Sequence, residues 1–469
     1  MKNDKLSSAM NFLTDVVGGE QYVKKPIYWI SSGSYMLNAC MSGSIFGGMP
    51  SGHMVMISGE PKSGKTYIVL DILREAQNMN HVPIVFDTEN AHTEDRYEAQ
   101  GIDWGSVKYD VPDTVDQVTV PIVKLTQKLF EYEKEIDKRN AKKKVSEEAW
   151  ELPRYIVSVD SVTSLSSSKQ LSDAIKGDMK TDMGTVAREL KTMYNLIIPR
   201  LGRLNIPMIC TAHTYDSQGS YVPTHVLSGG KGSIYMPSIV LYLRKRVEKD
   251  KETKEKLGIH VTVTVDESRF SCQRSANLYI SFKDGLNKYA GLEDYCTWEN
   301  VGICKGTHKN AISLHYELKL KKMIGAEKDT KTIFSSKVMY SALALAKKQL
   351  LIPTIHDNIH RGWIEVVEYV DDEHVNFKFT DKYFKEQEQD VERKILIPDD
   401  KSGTWIVKHL GQVMTQDELY NSDVFSQEVL EKLDEVIKPY FVYGSSLDDV
   451  IAKDEVPATQ PDFVFDMNE

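Results

Sequence analysis

Residues 59–66 read Gly59-Glu60-Pro61-Lys62-Ser63-Gly64-Lys65-Thr66, a match at every fixed position to the phosphate-binding pattern G-x-x-x-x-G-K-[ST]. An apolar run, Met54 to Ser58, precedes it, and Tyr67-Ile68-Val69-Leu70-Asp71-Ile72-Leu73 follows with helical spacing. Strand, glycine-rich loop and helix are the context the pattern requires. Backbone N–H groups of the loop would cradle phosphates at a helix N-terminus carrying partial positive charge. Lys65 would reach the β/γ-phosphates and the Thr66 hydroxyl would sit on Mg²⁺. The stretch therefore predicts a nucleoside-triphosphate site.

Outward from it, apolar strands and amphipathic helices alternate, with strands predicted at 54–58, 83–87, 155–159, 206–211 and 238–243. This alternation signals an α/β core with a mainly parallel sheet. Between the second and third strands, Val118, Ile122, Leu125, Leu129, Tyr132 and Ile136 line one face of a long helix. That helix runs into a mixed, then basic, stretch from Lys134 to Lys144, read as a solvated helix end. Residues 259–283 alternate as antiparallel strands do.

The ends of these strands carry candidate chemistry. Tyr155 to Ser161 is an apolar strand ending in Asp160, where a carboxylate can hold Mg²⁺ directly or through water. Phe86-Asp87-Thr88-Glu89 ends the preceding strand, and strand C-termini line the ligand crevice of a parallel sheet. Glu89 there can polarise an attacking water, or can simply balance a helix dipole. His213, at the end of a further strand, could touch the γ-phosphate or be an ordinary core histidine.

The chain has 469 residues, so two or three domains are expected. No run of about 18 apolar residues is present, and the polar start lacks a signal-peptide core, so no membrane association is expected. Five dispersed cysteines without a C-x-x-C pair read as free thiols in a reducing compartment, with neither disulfide framework nor zinc site. A net charge of −10 argues against DNA attraction by the whole surface, but leaves room for a local basic groove. From Ser446 to Glu469 seven acids oppose one lysine, which reads as a disordered acidic tail. Residues 4–18 form a short amphipathic helix, on Met10, Phe12, Leu13, Val16 and Val17, for packing on its own domain or a neighbour.

Taken in order, SSGSYMLNACMSG, GEPKSGKT, FDTENAH, YIVSVDSVTSL, DMGTVAREL, AHTYDSQ, LSGGKGSIYMPS and VTVDESRF resemble RecA-type DNA strand-exchange recombinases, and within them the phage recombinases. The resemblance covers roughly residues 28–305. It implies a RecA-like P-loop ATPase core over 28–305 with two DNA-binding loops. Residues 1–27 would be an N-terminal oligomerisation segment and 446–469 the acidic tail. Over 306–445 the resemblance stops, and the change to short helices, loops and mixed strands without a readable motif is itself read as a smaller α+β domain. By motif position, residues Gly59 to Thr66 hold ATP, Thr66 and Asp160 hold Mg²⁺, Glu89 is the catalytic glutamate and His213 the γ-phosphate sensor. The first DNA loop would follow Ser166, with Met183, Gly184 and Arg188 at the family's contact positions. The second would span 215–231, with Ser228, Gly229, Gly230 and Lys231 approaching phosphates through backbone N–H groups. Lys169, Lys176, Lys180 and Arg188 supply charge, while Met183, Tyr221 and Val222 supply apolar wedges for unstacked bases.

Two positions depart from the pattern. The family completes each ATP site with two basic residues of the adjacent protomer, matching positions 267 and 269; here they are Glu267 and Arg269. The family's adenine-facing tyrosine falls at Arg96, which could stack as a cation, unless a local shift restores Tyr97. The implied function is ATP-dependent homologous recombination: filaments on single-stranded DNA, pairing with a duplex, and strand exchange in recombination, repair and replication. Implied partners are single- and double-stranded DNA, further copies of the chain in a helical filament, a single-stranded DNA-binding protein and a recombination mediator. The implied location is cytoplasmic, the host cytoplasm for a phage protein. The rivals are an ATP-binding regulator of filaments, which Glu267 favours, and a ring-forming replicative helicase.

Overall fold

The computed structural model describes residues 26–142, 149–177, 183–216, 225–227, 235–250, 253–310, 364–371, 374–379 and 394–442. The chain divides into two compact units, Met1–Leu286 with Phe441–Ser446, and Asn287–Tyr440 with Leu447–Glu469.

The first unit opens with β1 (Trp29–Ile30), α1 (Tyr35–Ser42), β2 (Met49–Pro50) and β3 (Met54–Gly59). Ser34 caps α1 by accepting the Leu37 N–H, and Gly43 ends it in the left-handed conformation. There follow α2 (Lys65–Asn78), β4 (His81–Asp87), α3 (Glu94–Ala99), β5 (Lys108–Asp110), α4 (Val115–Asn140), β6 (Arg154–Asp160), α5 (Ser168–Ile175) and α6 (Met183–Arg203). The unit continues through β7 (Met208–Asp216), β8 (His225–Leu227), β9 (Ile239–Lys249), β10 (Lys256–Ser268), β11 (Ser275–Ser281) and β12 (Gly285–Leu286).

These strands form a ten-stranded sheet in the order β12-β11-β10-β9-β3-β7-β6-β4-β5, with β8 paired to β7. From β9 to β5 every neighbour is parallel, whereas β9 to β12 are antiparallel. All residues of β3 are buried, as a parallel strand covered on both faces must be. In contrast β10 and β11 alternate buried and exposed residues, so one of their faces is solvated. The predicted stripe on α4 is real: Val118, Ile122 and Leu129 pack in the core with Leu190, Met193 and Ile197 of α6. Each such side chain contributes about 1.5–3 kcal/mol when fully buried. A capping box of Thr114 and Gln117 starts α4.

The α/β expectation with a mainly parallel sheet thus holds. β9 extends past the predicted 238–243 because its second half, Arg244 to Lys249, pairs with β10 alone and carries no apolar signal.

The second unit holds β13 (Ile303–Asn310), β14 (Ile364–Asp371), β15 (His374–Phe379), β16 (Lys394–Pro398), β17 (Trp405–Val407), β18 (Gln412–Met414), α7 (Gln416–Leu419) and α8 (Gln427–Phe441), the last of which ends in the first unit. β16-β13-β17-β18 is an antiparallel sheet, and β14-β15 a separate pair. The compact units divide after Leu286, and β13 pairs with β16 and β17 within the second. The predicted N-terminal helix and the acidic tail lie outside the described residues. Among the described residues no helix is long and apolar enough to cross a membrane.

Candidate functional site

The parallel strands bring Gly59, Asp87, Asp160 and His213 to one edge of the sheet, since Gly59 is in register with His213 and Asp87 with Asp160. The loop 59–66 leaves β3 there and enters α2. Gly59 and Gly64 have φ of 152° and 93°, a region that favours glycine. A Cβ on Gly59 would lie 2.6 Å from the Leu243 carbonyl oxygen. On Gly64 it would lie 2.5 Å from Ile280 Cδ1. Gly64→Ala should therefore destabilise the first unit by about 1–3 kcal/mol. A lowered thermal unfolding midpoint together with weaker nucleotide binding checks this; an unchanged midpoint refutes the packing argument.

Lys65 is buried, and its ammonium donates to the carbonyls of Gly59 (3.0 Å) and Glu60 (2.9 Å), which holds it over the loop. Burial pushes its pKa below the ordinary value, against the pull of the Asp160 and Glu89 carboxylates. The Thr66 hydroxyl donates to Asp160 Oδ2 at 2.8 Å. Asp160 also accepts from the Thr211 hydroxyl at Oδ1 and from His92 Nε2 at 3.2 Å. Burial alone would raise the Asp160 carboxyl, but these bonds from His92, Thr211 and Thr66 outweigh it and hold the group below its ordinary value. The Asp160–Ser161 peptide is cis.

Glu89 stands beside this cluster. Its Oε1 accepts from His213 Nε2 at 2.7 Å and from the Ser161 hydroxyl at 3.0 Å. Both ends of the pair are partly exposed, so solvent or a ligand can reach them. The loop that presents Glu89 is shaped by Asp87, which is fully buried. Asp87 accepts the Glu89 N–H (3.1 Å), the His92 N–H (2.9 Å) and the Tyr109 hydroxyl (2.8 Å). Thr88 ties the ends of β4 and β6 together, donating to the Ser161 carbonyl at 2.7 Å and accepting its N–H at 2.8 Å. The proposed catalytic, metal and sensor positions, Lys65, Thr66, Glu89, Asp160 and His213, therefore converge.

The adenine candidates separate. Tyr97 has no exposed surface, and its hydroxyl is hydrogen-bonded to His92 Nδ1 at 3.0 Å. Its ring has no face for a base, which corrects the suggestion that a local shift restores it. Arg96 is half-buried and lies over the Tyr67 ring at 5.8 Å, beside the first turn of α2.

Arg269 is exposed and far from loop 59–66 of its own chain. Ser268 pairs with Ile239 at the start of β9, whereas Gly59 pairs with Leu243. With β9 between β10 and β3, strand rise and spacing put roughly 15–20 Å between Arg269 and Gly59. Glu267, in register with Val240, is similarly distant.

Of the DNA candidates, Lys169 and Lys176 are exposed on and just after α5, and Gly184 and Arg188 are exposed on the first turns of α6. Lys180, Tyr221, Val222, Ser228, Gly229, Gly230, Lys231 and the Met183 side chain lie outside the described residues. The sequence reading missed His92, Thr211, Asp87, Ser161 and Lys245. Lys245, on β9, donates to the Pro61 carbonyl in loop 59–66. A polar side chain at the end of an apolar strand was the available signal for Asp87 and Thr211; for Lys245 none existed, because only the β3–β9 pairing brings it there.

Residues 13–128 match the family described as the RecA N-terminal domain. The chain is 28% identical over 262 residues to a recombination and repair protein of Enterobacteria phage T4. That match covers 55% of this chain and 61% of the relative, so the chain spans less than two thirds of the relative's length. It is 25% identical to Protein RecA of Trichodesmium erythraeum, over 59% of the chain and 69% of the relative. With Protein RecA of Thermus thermophilus the identity is also 25%, over 61% and 75%. The resemblance to RecA-type recombinases read from the motifs is borne out by these matches.

Proposed function

We propose that the chain is a DNA-dependent ATPase of homologous recombination, which assembles as a helical filament on single-stranded DNA, pairs that strand with a duplex and exchanges strands. Gly59 to Thr66 cradle the triphosphate, Lys65 contacts its terminal phosphates, and Thr66 and Asp160 hold Mg²⁺, which neutralises charge developing on the phosphates. Glu89 orients and deprotonates the attacking water, and Arg96 stacks on the base. Exposed Lys169, Lys176 and Arg188 contact the DNA backbone, with no base-reading code, so binding is sequence-tolerant.

One observation carries this reading. A single strand, β7, bears Thr211 on the Asp160 carboxylate and His213 on Glu89, then runs within three residues to Asp216. From 215 onward the chain is the proposed second DNA loop, and the returning β8 pairs with Thr214 to Asp216. On this reading β7 would carry a change at the γ-phosphate toward the proposed DNA segment.

The test is electron microscopy of the protein on single-stranded DNA with a non-hydrolysable ATP analogue, alongside a strand-exchange assay. Helical filaments and exchanged product are expected; closed rings or bare DNA would overturn the reading. Filaments without exchange would favour a second reading, an ATP-binding filament regulator, which Glu267 at an expected cation position motivates.

A further inference from the structure

His92 is the one buried imidazole on the Asp160 carboxylate among the described residues, and the motifs assign it no role. Its side chain is 1% exposed. It is held from three directions: its backbone N–H on Asp87 Oδ2 (2.9 Å), Nδ1 on the Tyr97 hydroxyl (3.0 Å) and Nε2 on Asp160 Oδ2 (3.2 Å). The Tyr97 and His92 rings also pack, with centroids 5.6 Å apart. A carboxylate only accepts, so Nε2 carries the proton that meets Asp160; with Nδ1 unprotonated, Nδ1 accepts from the Tyr97 hydroxyl. In that tautomer the order is Tyr97 O–H to Nδ1, and Nε2–H to Asp160. Hydrogen bonds at both ring nitrogens fix the orientation and tautomer of the imidazole.

The consequence lies in how many lone pairs of Asp160 remain. A carboxylate offers about four acceptor sites. Thr66 and His92 occupy Oδ2 and Thr211 occupies Oδ1, leaving about one position open. Three donors on three separate elements, α2, the loop after β4, and β7, also prevent the carboxyl plane from rotating.

We propose that His92 is a positioning residue for the magnesium site: by donating Nε2–H to Asp160 it sets the carboxylate plane so that the remaining lone pair faces the metal or its bound water. The proposal rests on reading Asp160 as the Mg²⁺ carboxylate of the nucleotide site.

The test measures binding of a fluorescent ATP analogue by the full chain as a function of Mg²⁺, and again in EDTA. Loss of an outer-shell partner typically weakens metal affinity by about 10–100-fold. His92→Leu, which fills the space without a donor, should raise the half-saturating Mg²⁺ by about that factor and leave binding in EDTA unchanged. His92→Gln, whose amide N–H reaches a similar point, should return the midpoint to within a few-fold of the parent. An unchanged midpoint in His92→Leu, or a His92→Gln defect as large as that of leucine, overturns the proposal. Should His92→Leu not fold, Tyr97→Phe decides. It removes only the hydroxyl that orients the imidazole; a several-fold rise in the midpoint supports the relay, and no change overturns it. Asp160→Asn is the control for the underlying reading. If it leaves the midpoint unmoved, the nucleotide-site reading fails; if it moves the midpoint while His92→Leu does not, only the role of His92 fails.

Discussion

Replacing Glu89 by glutamine is expected to cut ATP turnover by about 10²–10⁴-fold, the usual contribution of a general base, while ATP and DNA binding persist. The substitution keeps the size of the side chain and an oxygen that can accept from Ser161 and His213, the two partners of Glu89 Oε1. What it removes is the basicity that activates water. Lys65→Ala should fail differently, because its ammonium bridges the loop carbonyls and is proposed to contact phosphate. That variant should lose ATP-dependent DNA binding as well as turnover. Paired measurements of ATPase rate and of DNA affinity with and without ATP separate the two defects. If Glu89→Gln hydrolyses ATP at the parent rate, Glu89 is not the base, and its contact with His213 is structural.

The larger expected effect belongs to Arg269. An arginine delivered to a phosphoryl-transfer site can be worth about 10³–10⁵ in rate. Arg269 cannot serve its own site in this fold, since it follows the residue paired with Ile239 while loop 59–66 begins at the Leu243 register. In a filament a neighbouring copy can accept it, and hydrolysis then depends on assembly. Arg269→Ala should abolish DNA-stimulated hydrolysis with ATP binding nearly intact. Mixing it with Glu89→Gln is the decisive measurement. Each variant alone should show little or no hydrolysis, but some mixed interfaces join an intact Glu89 to an intact Arg269. Recovered activity establishes completion in trans; silence at every ratio means that Arg269 does not act on a neighbour's ATP. Glu267→Lys should keep or raise the rate, because it removes a like charge near the incoming phosphates. Lys245 bears on this point, since it places a cation on the phosphate loop from the same protomer.

The residues that could be read in advance share one property: their chemistry is local in sequence. Loop 59–66 is contiguous, and its glycines are demanded by backbone angles that the loop itself imposes. Asp160 ends an apolar strand and Glu89 lies two residues past the end of another, and a strand end in a parallel sheet is already a ligand edge. Arg96 and Tyr97 could not be told apart, because neighbouring residues on a short helix differ only in which one meets the core. Packing buried Tyr97 against Trp104 and His92 and left Arg96 at the surface.

By itself, the order of apolar runs and turn residues determined the α/β class, the glycine turn of loop 59–66 and the strand ends near which acids stand, because hydrophobic periodicity and glycine geometry act within a few residues. Which side chains meet across those ends was decided only by the tertiary structure. The contacts of Thr211 and His92 with Asp160, of His213 with Glu89 and of Lys245 with Pro61 join residues 51, 68, 124 and 184 positions apart. Such pairings depend on strand order and register, which a linear chain does not display until its sheet is assembled.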